Sequence, residues 1–219
     1  DNLNAIFNNP AGLGLARGNQ SGLYILPFDS VYTSHSSNRI DGFGYNLQYK
    51  YTNGNFPDLF NPADGNIGIG TSLFPNAYLG IKWNKHHLID MGVLYRPFNT
   101  TSIGLVTQFN DEFTEYHSTT LGLAFRPFLQ HRLTVGADML LTEADSLFIY
   151  PHLTIEPVDG ILLSARSNTD FDDFQINLAF NFGKETVYSN STYNDAQEFN
   201  GGIGFYTSSQ QQESIFKKK

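Results

Sequence analysis

The side chains in this sequence that could carry chemistry are few, and they fall at intervals that argue for positioning more than for reaction. Lys50, Lys82, Asp90, Arg96, Arg126, Asp138, His152, Glu156 and Arg166 all occupy the polar phase of alternating segments. Charges gathered on one inner face must pair or stay hydrated. Arg96, Arg126 and Glu156 each stand immediately before a proline, so they belong at turns, where locking the turn or holding another segment by an ion pair is the expected role. Binding an acidic solute or a lipid head group is the other chemistry open to them.

Catalytic and metal chemistry are poorly served. His86 and His87, with His117 and His131, suggest a metal, but adjacent histidines in a short loop diverge, and no carboxylate cluster completes a tetrahedral set. Ser118 lies beside His117, and Ser164 can be set against His152, yet neither serine has a nucleophile-elbow context. The segment GNIGIG lies inside a strand with no helix after it, so it is not a phosphate loop. Asp111, Glu112, Glu115, Asp172 and Asp173 fall in polar connections and read as a solvated acidic rim before they read as a calcium site. The chain is therefore read as no enzyme, with no catalytic residues, no metal and no cofactor.

Composition narrows the class further. Charged residues are 16% of the 219, against about 25% in an average soluble domain. Aromatics reach 15%, there are 20 glycines and no cysteine, and the net charge is -8. The acidic balance, with its only basic cluster at Lys217 to Lys219, excludes a nucleic-acid partner. No apolar run is long enough for a membrane helix, but a barrel strand crosses a membrane with only about ten alternating residues.

The elements that must position the polar residues come from one repeated unit. GVLYRPFNTTSIGLVTQF, GLAFRPFLQHRLTVGADML and YPHLTIEPVDGILLSARS each read as strand, charged residue plus proline, turn and strand. Their prolines stand at 97, 127 and 157, a spacing that fits one β-hairpin. Strands are predicted at 22–28, 41–51, 66–74, 77–83, 88–96, 101–109, 117–126, 131–141, 147–156, 159–167, 173–183 and 200–208. Short connections follow the prolines. Longer polar ones are predicted at 30–40, 52–65, 110–116, 142–146, 168–172 and 184–198.

Within the strands one phase is apolar, as in Phe43, Tyr45, Leu47 and Tyr49 or Val135, Ala137, Met139 and Leu141, and the other mixes amide, charge and glycine. A soluble β-sandwich would bury the apolar phase, whereas a membrane barrel would turn it to lipid. The glycines favour the barrel. On a solvated face they supply nothing, but on a crowded concave face they let another segment approach the backbone.

At the amino end, Asn9, Pro10, Ala11, Gly12 and Leu13, led in by Ala5, Ile6 and Phe7, resemble the opening element of the FadL-like and PorV-like outer-membrane β-barrels. That resemblance implies a segment folded into the barrel as a hatch. It also implies barrels of 14 strands in longer chains, or barrels ahead of a further domain, and residues 209–219 read as a tail or linker.

The resulting expectation is an all-β, antiparallel transmembrane β-barrel of about 12 strands (about 10 to 14). Its predicted divisions are a plug at 1–20 and a barrel at 21–208. The predicted location is the bacterial outer membrane, with membrane lipid as a partner. The predicted function is passive transport of small hydrophobic molecules, with Phe56, Leu59 and Phe60 giving an apolar loop where such a solute could enter. The alternatives are a non-transporting barrel that anchors a protein partner or downstream domain, and a soluble β-sandwich binding module.

Overall fold

The computed structural model describes residues 8–15, 19–26, 31–40, 42–52, 63–128, 132–193 and 199–209, with the side chains of 26, 31–40, 50–52 and 199–200 outside that description. Fourteen strands follow one another: β1 (Gln20–Leu26), β2 (Val31–Ile40), β3 (Phe43–Thr52), β4 (Asp64–Phe74), β5 (Ala77–Asn84), β6 (Leu88–Phe98), β7 (Thr101–Asn110), β8 (Tyr116–Phe125), β9 (Leu133–Thr142), β10 (Leu147–Val158), β11 (Ile161–Ser167), β12 (Phe174–Asn181), β13 (Glu185–Tyr193) and β14 (Phe199–Ser208). Each pairs antiparallel with its neighbours in sequence, and β1 pairs with β14, so the sheet closes into a barrel. The closing register runs from Gln20 opposite Ser208 to Ile25 opposite Ile203. A single closed sheet leaves no second layer, so the two-layer sandwich is not the architecture.

The strand count corrects the expectation of about 12. Twelve strands lie within a few residues of where the alternation puts them. The other two, β2 and β13, occupy stretches read from the sequence as long loops, 30–40 and 184–198. VYTSHSSNRI and ETVYSNSTY are dominated by Ser, Thr, Asn and His, so neither shows apolar alternation. Their extended form follows from ladder pairing with β1 and β3, and with β12 and β14.

The polarity is inside out. Leu23, Ile67, Ile69, Leu79, Ile81, Trp83, Met91, Val93, Leu105, Leu123, Val135, Leu153, Ile176, Ile203 and Phe205 are all exposed on the outer face. Ile69 is 57% accessible and Ile203 62%, values far from a soluble core. The buried polar residues include Asn46, Lys82, Asp90, Glu156, Asn181 and Thr186, and they lie on the concave side. Buried apolar side chains among the described residues are few: Pro10, Ala11, Leu13, Leu15, Ala77 and Tyr206.

The proline repeat builds one rim. Register shifts fall between Tyr95 and Phe98 and between Ile155 and Val158, spanning Pro97 and Pro157, whose missing N–H makes a bulge the natural site. The residue before each proline donates its backbone N–H to an earlier turn on the same rim: Arg96 to Asn76 O (2.8 Å), Arg126 to Thr100 O (2.7 Å) and Glu156 to Arg132 O (2.8 Å). The opposite rim has its own shared turn. His87, Phe113, Asp145 and Phe171 each take a positive φ and donate N–H to the carbonyl three residues back.

Candidate functional site in the barrel interior

Residues Pro10–Gly14 form one short 3-10 turn lying inside the barrel against β4, β5 and β6. Asn9 caps it, its Oδ1 accepting the N–H of Ala11 at 2.9 Å, and Pro10 supplies a preset φ at the first position. The same Asn9 side chain reaches the wall, where Nδ2 donates to Val93 O at 3.1 Å. Pro10, Ala11, Gly12 and Leu13 are buried.

The approach is possible because the wall beneath is glycine. Gly70, Gly80 and Gly92 are consecutive register partners on β4, β5 and β6. A Cβ on Gly80 would overlap the backbone of Pro10 and Ala11, and one on Gly92 would overlap the Asn9 amide. At Gly70 it would stand 2.6 Å from the Gly14 nitrogen. The sequence element Asn9 to Leu13 and the inner-face glycines thus occupy one contact.

One row further along the same strands, Lys82 and Asp90 face each other directly and form an ion pair at 2.5 Å, each side chain only 7% accessible. Gln108 Nε2 donates to the second oxygen of Asp90 at 2.8 Å. The ammonium and the amide together satisfy both oxygens of a carboxylate that the barrel removes from water.

Further around the wall, on β9 to β11, Asp138 Oδ2 lies 3.7 Å from His152 Nδ1 and 3.6 Å from Arg166 Nη2. Arg166 in turn sits 4.4 Å above the centre of the Tyr150 ring. The rim residues turn inward as turn locks: Arg96 Nε donates to Ser102 Oγ (3.2 Å), Arg126 Nε to Thr134 Oγ1 (3.4 Å), and Glu156 Oε1 accepts the N–H of Gly160 (2.7 Å). Each of these joins the residue before a proline to the strand or turn that follows.

Lys50 lies on β3 with its side chain outside the described set, and the loop residues Phe56, Leu59 and Phe60 fall outside it altogether. The histidines are dispersed. His86 faces Asp64 (3.5 Å), His87 faces Asp111 (2.6 Å) and His117 faces Glu143 (3.3 Å), each bridging neighbouring hairpins. Among the described residues no three His, Asp or Glu side chains gather as a metal set.

Sequence reasoning missed the tyrosines at the closing seam. Tyr24 on β1 and Tyr188 on β13 stack across β14, ring centres 5.6 Å apart and planes within 5°, with Tyr206 6.0 Å from Tyr188. Gly202 and Gly204 lie directly beneath them. The signal lies in Gly202, Gly204 and Tyr206 on one strand, but β13, which supplies Tyr188, has no apolar alternation to mark it as a strand.

No known protein family matches the chain, and no curated protein resembles it significantly. Solved structures do. Two variants of the porin of Rhodopseudomonas blastica superpose with TM-scores of 0.55 and 0.53 at 10% identity, covering 87% of this chain and 98% of theirs. A structure described as an engineered protein of asymmetric conductivity matches over the same shares with a TM-score of 0.53. The chain has the fold of the outer-membrane β-barrels in its porin form.

Three sequence expectations are corrected here. Passive transport of small hydrophobic molecules, with such a solute as partner, requires an apolar path or a gap in the wall. The described lumen is lined by Lys82, Asp90, Gln108, Asp138, His152 and Arg166, and every described strand is hydrogen-bonded on both sides. Location in a bacterial outer membrane and contact with membrane lipid reduce to a smaller statement, that the wall turns its apolar face outward. Fold likeness at 10% identity carries architecture and not an address.

Proposed function

We propose that this chain is a non-transporting barrel scaffold of the outer-membrane type, which anchors a protein partner or a further domain and catalyses no reaction. The observation that carries this reading is the seat of Pro10–Leu13 on the bare backbone of Gly70, Gly80 and Gly92. A segment held that closely occupies the lumen as part of the fold. A hydrophobic solute would strip water from the polar, ion-paired lining beside it and give those groups no hydrogen bonds in return. Kinship with the FadL-like and PorV-like barrels is the finer form of the proposal, and it draws support from the placement of Asn9 to Leu13 inside the wall.

Solute flux tests the reading. Reconstituted in liposomes, the native chain should leave the permeability to small polar and apolar solutes at the level of protein-free vesicles. Replacing Gly80 with valine should displace the amino segment and raise it. Flux through the native chain would overturn the scaffold reading.

A further inference from the structure

We propose that the lumen wall opposite the amino segment holds a small carboxylate-binding site centred on Arg166. In a ring of fourteen strands, β12 lies seven strands from β5, so this wall faces the Gly80 seat across the barrel. His152, Arg166, Gln175 and Thr192 are successive register partners on β10, β11, β12 and β13. Beside them is a cavity of about 50 Å³ lined by Tyr150, Arg166, Ser167, Asp173, Gln175 and Thr192. That volume holds roughly three or four water-sized centres, the heavy-atom size of formate or acetate.

The chemistry of the lining selects the ligand. Tyr150 lies under the guanidinium of Arg166 and fixes its plane. Asp138 is the acid nearest it, but at 3.6 Å it is beyond hydrogen-bond reach, and the same oxygen is shared with His152. Arg166 Nε is buried without an acceptor, while the side chain as a whole is 40% accessible, so the N–H groups open to the lumen are those at its outer end. A planar fork of donors left unsaturated matches the two coplanar oxygens of a carboxylate, with the amide of Gln175 as a further donor at the edge. Asp173 on the same lining opposes an anion and keeps the site weak, with a Kd on the order of millimolar.

Titrating the full chain in detergent micelles with ¹³C-acetate at constant ionic strength tests this, with sodium chloride and inorganic phosphate as parallel arms. Saturable acetate binding that the other two anions do not reproduce is expected. Arg166→Gln should weaken it about tenfold or more by removing a charge-assisted pair. Asp173→Asn, in an exposed position, should tighten it severalfold by removing the opposing charge. Arg96→Gln, far around the ring and bonded to Ser102, should leave it unchanged. An equal response to all three anions, meaning an adventitious ion only, would overturn the proposal. So would acetate affinity unchanged in Arg166→Gln, or an Asp173→Asn variant no tighter than the native chain.

Discussion

Asn9 and Val93 are joined by a hydrogen bond of 3.1 Å from the Asn9 side-chain amide to the Val93 carbonyl, although 84 residues separate them. That bond ties the amino segment to the middle of β6, and the other end of the same side chain caps the turn it belongs to. One residue therefore both shapes the segment and docks it. Asn9→Ala removes both contacts and should destabilise the docked segment by about 1–2 kcal/mol. Limited proteolysis of the amino end in detergent, faster in the variant, is the measurement.

Gly80 and Gly104 separate backbone crowding from side-chain crowding. A methyl group at Gly80 runs into the backbone of Pro10 and Ala11, whereas at Gly104 its nearest neighbour is the side-chain amide of Asn9 at 3.1 Å, a contact that a shift of a few tenths of an ångström relieves. Gly80→Ala should expel the segment, and Gly104→Ala should leave it seated. Thiol-labelling of a cysteine introduced at Ala11 reads the difference, and equal labelling in the two variants would contradict the packing described.

Lys82 and Asp90 should show strong coupling. Removing either partner alone leaves a buried charge and should cost about 3–5 kcal/mol, while replacing both by apolar residues of similar volume should cost much less. Urea unfolding of Lys82→Met, Asp90→Leu and the double variant in lipid vesicles gives the cycle. Additive losses would mean that the pair is hydrated rather than buried.

Glu156 closes a turn rather than a binding site. Its Oε1 accepts the Gly160 N–H, and Gly160 holds a φ of 83°, a conformation that favours glycine. Glu156→Gln keeps an acceptor and should be nearly neutral. Glu156→Ala leaves that buried N–H without a partner and should lower stability by about 1–3 kcal/mol. Thermal unfolding of the two variants distinguishes them.

Tyr188 covers Gly204 and stacks on Tyr24 across the seam where the first and last strands meet. Tyr188→Ala removes the ring pair, worth about 0.5–1.5 kcal/mol beyond its buried area. The amides of Ile203 and Phe205, which pair with β1 and β13, should exchange hydrogen faster. Unchanged exchange there would show that the ladder alone holds the seam.

Much of this was legible because the signal is local. Alternation in Leu133 to Leu141 or Ile103 to Phe109 marks a strand whichever sheet receives it, and the pre-proline residues Arg96, Arg126 and Glu156 mark turns because proline removes a ladder donor. β2 and β13 were not legible, since Ser, Thr and Asn are indifferent to strand or loop, and their extended form comes from ladder pairing with the strands on either side. The partnership of Asn9 with Val93 is hidden for a different reason, the 84 residues between them.

For the twelve alternating strands, the sequence by itself determined which side chains share a face, that one face is apolar and the other carries glycine, amide and charge, and where those strands turn. These follow from a two-residue period that needs no knowledge of distant partners. Only the tertiary structure decided that the sheet closes as fourteen strands, that Gly70, Gly80 and Gly92 receive Pro10 to Leu13, and that Lys82 meets Asp90 while Arg166 meets Tyr150. Those pairings depend on register, which the ladders between consecutive strands set, and on closure, which the β1–β14 ladder sets between the two ends of the sheet.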